Sequence, residues 1–251
     1  MSAVVAPGVK YRVKRKEVID KIAAGFIMAN GVTEFAFLAC AVIISIVLHE
    51  IAHGYAALWN GDPTAKISGR LTINPIKHFD LVGFLMLLVC GFGYAKPVPV
   101  NPYNFRHKKR GIFTVAIAGV TVNLLLAFIS SGLFVLMAVL QAKYQRGAAA
   151  FAGFQLFFSL LMRINLSLFF FNLLPVYPLD GFRVLESFTR YANPVTRFLR
   201  DYGAYILIAL VGLGIVVDIF NMPYYFDILG TYIIYARNGV IKLFLMIWGV
   251  G

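Results

Sequence analysis

Long uncharged stretches dominate the chain, and they predict helices that cross a membrane. Residues 35–48 carry no charge and continue as a helix past His49 to about Trp59. Residues 81–95, 111–142, 147–162, 164–179 and 203–217 are also uncharged, and 219–236 is broken only by Asp227. The hydrocarbon core of a bilayer takes about 20 apolar residues of helix. The pattern therefore predicts five spanning helices, at about 34–58, 112–140, 151–175, 202–220 and 226–248. The run 79–95, short and interrupted by glycine, is a sixth candidate that either spans or re-enters. Two connectors break the helical pattern. Residues 65–74 (AKISGRLTIN) carry β-branched side chains around Gly69 and stop at Asn74-Pro75, which predicts a strand or one arm of a hairpin. Residues 96–102 (KPVPVNP) hold three prolines in seven positions and must be extended. Irregular backbone at membrane depth persists only where protein covers it or it lines a water-filled cavity. The expected fold is an all-α polytopic membrane protein of five or six transmembrane helices with a small membrane-associated β-hairpin or strand element.

Composition agrees. The 251 residues are 60% hydrophobic and 14% charged, against about a quarter charged in soluble domains, and the mean hydropathy is +0.79. A soluble, disordered or fibrous protein is excluded. Twenty-three Lys and Arg against eleven Asp and Glu leave a net charge of +12. The basic residues fall between the apolar runs, so their expected partner is the lipid bilayer surface and not nucleic acid. One basic cluster is Lys96, Arg106, Lys108, Lys109 and Arg110; a second is Arg183, Arg190, Arg197 and Arg200. The positive-inside rule puts both in the cytoplasm. Residues 1–32 form a basic N-terminal tail without the cleavage site of a signal peptide. No gap between spans is long enough for an added soluble domain. Cys40 and Cys90 lie in apolar runs without CxxC spacing and are expected as buried thiols.

The candidate chemistry begins at His49, Glu50 and His53, an HExxH at the end of an apolar run. Residues four apart share a helix face, so the two imidazoles can converge on one ion. Zinc accepts imidazole nitrogen, and Glu50 is placed to take a proton from water that the ion activates. A catalytic zinc needs a third protein ligand. Asp180 is the candidate: it follows an apolar run in which Pro175 and Pro178 break the helix and Gly181 lets the chain turn. His78 and His107 are alternatives in polar connectors. Glu17, Glu34, Asp62, Asp80, Asp201, Asp218 and Asp227 lie at run ends or in connectors, where a solvated face is expected. Asn123 lies inside a long uncharged run, where it either joins two helices or donates to a substrate carbonyl or developing oxyanion. Arg163 lies in mid-run, where snorkelling or pairing with a carboxylate or with backbone carbonyls is expected.

Together these residues resemble the site-2 protease family of intramembrane zinc metalloproteases over about residues 35–190. The HExxH at His49–His53 and the stretch Asn172, Pro175, Leu179, Asp180, Gly181 match its two signatures in order. The segments GRLTINP at 69–75 and PVPVNP at 97–102 resemble the compact prokaryotic branch without PDZ or CBS domains. Asn123 matches the family's Gly-Pro-x-x-x-Asn-like helix, with Val120 where that proline is common. The resemblance implies one zinc ion held by His49, His53 and Asp180, with Glu50 as general base. It implies hydrolysis of peptide bonds in or near a transmembrane segment of a membrane-protein substrate, by a multi-pass protein of the prokaryotic cell membrane. Residues 33–192 would be the catalytic membrane core and 193–251 C-terminal helices that could gate substrate entry. An extended edge at 65–74 or 97–102 could pair with the unwound substrate. A metal-binding transporter and an inactive scaffold are the alternatives. The substrate and any regulatory partner are not identified by the sequence.

Overall fold

Long apolar runs without internal proline become helix almost throughout. The structure, a computed structural model, describes residues 29–78, 80, 83, 96–144, 148–189 and 193–250. Among them are seven α-helices: α1 (Ala29–Trp59), α2 (Thr64–Ile67), α3 (Lys108–Lys143), α4 (Ala148–Asn172), α5 (Asp180–Phe188), α6 (Pro194–Ile219) and α7 (Ile228–Ile247). Five of these, α1, α3, α4, α6 and α7, are long and apolar enough to cross a membrane. The tail 1–32, apart from 29–32, and the sixth candidate 79–95, apart from 80 and 83, lie outside the described residues.

Helix α3 is the centre, packed against α1, α4, α5 and α7. Its buried positions include Ala116, Gly119, Val120, Asn123, Ala127, Ser130 and Ser131. They recur every three or four residues, so they form one stripe of small side chains along which neighbouring helices approach closely. Large apolar side chains face outward instead, among them Leu125 and Ile129 of α3, Tyr205 and Ile208 of α6 and Leu243 of α7. Lipid, not water, is the solvent for which this surface is suited. Cys40, expected buried, lies on that outer face. Helix α1 has an exposed side as well as a packed one, and an apolar run alone does not say which residues face which.

Side-chain hydrogen bonds join the spans. Asn165 of α4 donates to Ser45 Oγ of α1 at 2.8 Å and to Leu161 O of its own helix at 2.8 Å. Trp248, just past α7, donates to Ser131 Oγ of α3 at 2.8 Å and stacks on Phe128. Such bonds in membranes average about 0.6 kcal/mol each. Arg163 is exposed on α4, with its charge near Arg237 of α7, which donates to Ser167 Oγ at 3.2 Å.

The connectors overturn the expected strand element: no strand is found among the described residues. Residues 64–67 wind into α2, and both Asn-Pro pairs of the connectors open turns of 3-10 helix. Asn74 accepts from Ile76 N and Asn101 from Tyr103 N, with proline at the first position of the turn. Asn193-Pro194 does the same for α6, which starts about eight residues before the expected 202. Asparagine caps an orphan amide, and proline lacks the N–H that the first turn could not bond anyway. Residues 96–100 are extended, but side chains and loop backbone take the bonds that a ladder would have made. Arg70 donates to Lys96 O at 2.6 Å, and Lys96 N donates to His78 O at 2.9 Å. The described residues of the two basic clusters share one end of the bundle, where Lys109 Nζ donates to Thr189 O at 3.4 Å.

Asp62, expected on a solvated face, is wholly buried. It follows Gly61, whose φ of +105° turns the chain out of α1. Its carboxylate accepts from Thr64 N, Thr64 Oγ1, Asn104 Nδ2 and Asn101 N, so it ties the loop after α1 to the loop before α3. Burial alone would raise its pKa, but these hydrogen bonds outweigh it and hold the carboxyl below the usual value of 3.8. A lowered folded-state pKa gives stability that is fully present above the ordinary value and is lost as pH falls through the lowered one. Asp62→Asn turns an N–H toward donors and should cost about 1–3 kcal/mol at neutral pH. Thermal unfolding of both proteins should show that gap at pH 7 and its narrowing below pH 4. A gap that is constant with pH would contradict the ionised-acceptor account.

Candidate metal centre

His49 and His53 are four residues apart on α1 and present their rings to the same side, where α3 passes closely. The approach depends on Gly119. A Cβ there would lie 2.6 Å from both His49 Cε1 and His53 Nε2. Asp180 arrives from the opposite direction. Helix α4 ends at Asn172, and the chain reverses through turns closed by Val176 N to Leu174 O and Leu179 N to Val176 O. Asp180 is then the first residue of α5. Gly181 makes this reversal possible, since a Cβ there would lie 2.3 Å from the backbone oxygen of Leu173.

Three sequence-predicted residues therefore meet. His49 Nε2 and His53 Nε2 are 2.9 Å apart, and each lies 3.2 Å from Asp180 Oδ2. All three are largely buried. His53 Nδ1 is 2.7 Å from Val115 O. A carbonyl only accepts, so Nδ1 carries a proton, and the neutral ring presents its lone pair at Nε2. Asn123, wholly buried, places its side-chain amide 3.1 Å from His49 Nδ1, while its Oδ1 has no hydrogen-bond partner. A half-turn of the amide exchanges the two ends. With Oδ1 accepting from Nδ1–H, His49 adopts the same tautomer as His53. With both rings neutral, two imidazole lone pairs and a carboxylate oxygen face one another without a donor between them. That arrangement is unfavourable unless a cation occupies the centre. A tetrahedral zinc with bonds of about 2.0–2.1 Å keeps its ligand atoms about 3.3–3.4 Å apart, so the triangle fits with a small expansion, and the donor set of two nitrogens and one carboxylate suits zinc.

Glu50 points to the adjacent side of α1, half-buried, with Oε2 accepting from Val98 N at 2.8 Å. The alternative ligands do not join the cluster. The His78 ring nitrogen Nε2 is 2.9 Å from Thr72 O, so it donates within its own loop, and His107 is exposed before the first turn of α3. The Val98 contact and the Val115 carbonyl escape a reading by motif because both are backbone groups, and Arg70, though inside the GRLTINP segment, bonds carbonyls 26 and 27 residues away that the motif does not name.

Comparison with known proteins bears on this geometry. YwhC of Bacillus subtilis (strain 168), a candidate zinc metalloprotease by its name, is 39% identical over 222 residues, 84% of this chain and 92% of the relative. The family model "Peptidase family M50" matches residues 135–214. The chain belongs to peptidase family M50. Rip2 of Mycobacterium tuberculosis (strain ATCC 25618 / H37Rv), named in the same way, is 28% identical over 85% of this chain and 82% of its own length. A zinc metalloprotease of Methanocaldococcus jannaschii is 27% identical over 65% of this chain and 37% of its own. No solved structure matches. The cofactor of this M50 peptidase is zinc, in line with the names of these relatives and with the cluster His49, His53 and Asp180. The match to the family model includes Asp180 but stops short of the HExxH on its N-terminal side.

The fit around Gly119 is testable. Gly119→Ala should drive the two rings apart and lower zinc affinity by at least tenfold, while α3, a helix that alanine favours, still forms. Competition with a chelator measures this. Unchanged affinity would show that the rings do not need the space.

Proposed function

We propose that this M50 peptidase is an intramembrane zinc metalloprotease of the site-2 type, hydrolysing peptide bonds within or near transmembrane segments of membrane proteins. One observation carries the reading: two imidazoles and a carboxylate meet inside a bundle of apolar helices, with a further carboxylate, Glu50, one residue from the first imidazole. His49, His53 and Asp180 hold the zinc. When bound, zinc supplies the Lewis acidity that makes water a nucleophile near neutral pH. Glu50 accepts the proton of the attacking water and passes it to the leaving amine nitrogen. The bond from Val98 N fixes Oε2 and leaves Oε1 for that transfer. His53 is oriented by Val115 O and His49 by Asn123. The second end of the Asn123 amide is a buried donor for the substrate carbonyl or the developing oxyanion.

A helical substrate hides its carbonyls and must unwind to reach these groups. Helices α6 and α7 serve as the gate: α6 packs mainly on α5, α7 and the turn before α7, and both expose broad apolar faces. The shared basic end faces the cytoplasm by the positive-inside rule. The relatives are bacterial and archaeal, so the membrane is the prokaryotic cell membrane. Pairing of substrate along 97–102 has less support, because the amides of Val98 and Asn101 are already engaged by Glu50 and Asp62.

Purified protein, loaded with zinc and given a panel of single-span membrane proteins, should cleave at least one. Glu50→Gln should retain one zinc per chain and lose cleavage, since an amide cannot accept the proton. Zinc binding by the wild type without any cleavage would favour a metal-binding transporter or an inactive scaffold. Asp180→Ala should lower the zinc content, and an unchanged stoichiometry would remove Asp180 from the ligand set. Asn123→Ala should lower turnover per folded molecule by about 10²–10³-fold as a lost oxyanion donor. Wild-type turnover in a merely less stable protein would leave Asn123 as a helix joint.

A further inference from the structure

The extended segment 96–101 is pinned at both ends and in the middle. At its start, Arg70 Nη2 donates to Lys96 O at 2.6 Å and to Pro97 O at 3.2 Å. The same residue Lys96 donates through its amide to His78 O, and His78 closes its own loop on Thr72 O. At the far end Asn101 N donates to the buried Asp62. Between them Val98 N donates to Glu50 Oε2 at 2.8 Å. The sequence isolates that donor. Pro97 and Pro99 have no N–H and hold φ near −65°, so Val98 offers the one amide between Lys96 and Val100, on a stiff arm. The arm lies directly on α1: a Cβ on Gly54 would stand 3.1 Å from Val98 Cγ1 and 2.4 Å from Leu71 Cδ2. Arg70 is buried, and among the described residues its hydrogen bonds run to these two carbonyls and to no carboxylate. A buried guanidinium spent on the backbone immediately before the amide that grips Glu50 is placed to set where that amide sits.

We propose that Arg70 is a positioning residue for Glu50: by clamping the carbonyls of Lys96 and Pro97 it aims the Val98 N–H at the Glu50 carboxylate and so fixes the oxygen that handles the proton. This rests on the reading of Glu50 as general base. Arg70 touches neither substrate nor zinc in this account. Its loss should therefore appear in the chemical step and leave zinc and substrate binding intact. A misplacement of about 1 Å in a catalytic group costs on the order of 10²-fold in rate.

The test uses the full-length, zinc-loaded protein and the best-cleaved member of the single-span panel. Arg70→Gln should reduce kcat by about 10–100-fold, with KM within about threefold of wild type and one zinc per chain. Arg70→Lys, which keeps the charge and a donor, should recover part of the loss. Val98→Pro removes the amide hydrogen with the extended backbone retained and should match Arg70→Gln; Val98→Ala keeps the hydrogen and should stay near wild type. If Arg70→Gln does not fold, the comparison of Val98→Pro with Val98→Ala decides. Equal kcat in those two overturns the proposal, as does a rise in KM at unchanged kcat in Arg70→Gln. Activity persisting in Glu50→Gln would instead overturn the general-base reading. A dead Glu50→Gln beside active Arg70→Gln and Val98→Pro overturns the role of Arg70 alone.

Discussion

Three electron-rich atoms held about 3 Å apart inside an apolar bundle repel one another, and everything around the centre of this protein serves to hold them there. Helix α1 supplies two imidazoles at one-turn spacing. Gly119 removes the side chain that would otherwise fill their space. The broken end of α4 and the tight reversal at Gly181 bring Asp180 against them. Val115 and Asn123, both on α3, hold the ring nitrogens that face away. Without a cation the cluster is a source of strain. With zinc it becomes a point at which α1, α3 and α5 are joined, so metal binding and helix packing reinforce each other.

The same economy of polar groups governs the loops. Backbone outside a helix cannot be left unbonded at membrane depth. Here it is satisfied by single side chains reaching across: Arg70 to the 96–97 carbonyls, Asp62 to the amides of Thr64 and Asn101, Glu50 to Val98. Apart from the local bond to Thr64, each contact joins segments that are 26 to 48 residues apart in the chain. The non-helical residues form a collar on the end of the bundle that carries the metal cluster, and the general-base candidate is one of the collar's own anchors.

Much of this was legible in the sequence. Hydropathy located all five long helices, and the HExxH with the broken helix at Pro175–Asp180 named the three residues that meet, because helical periodicity and intramembrane charge are local signals. The strand did not form, because β-branched residues around Gly69 say nothing about which groups will satisfy the backbone. Arg70 and Asp62 answer that question through contacts 26 to 42 residues away in sequence. Asn74-Pro75, read as a stop, turned out to be a start, as did Asn101-Pro102 and Asn193-Pro194, since the asparagine caps the turn and the proline opens it. Burial of Asp62 depends on the distant loop that wraps it, and exposure of Cys40 depends on which face of α1 meets a neighbour; an apolar run encodes neither.

The central claim concerns the atoms bound to zinc, and X-ray absorption at the zinc edge reports them directly. The account predicts nitrogen and oxygen scatterers alone at about 2.0–2.2 Å, with the multiple-scattering pattern of two imidazoles, and a spectrum that changes in Asp180→Ala. A sulfur scatterer at about 2.3 Å, or the pattern of a single imidazole, would contradict it.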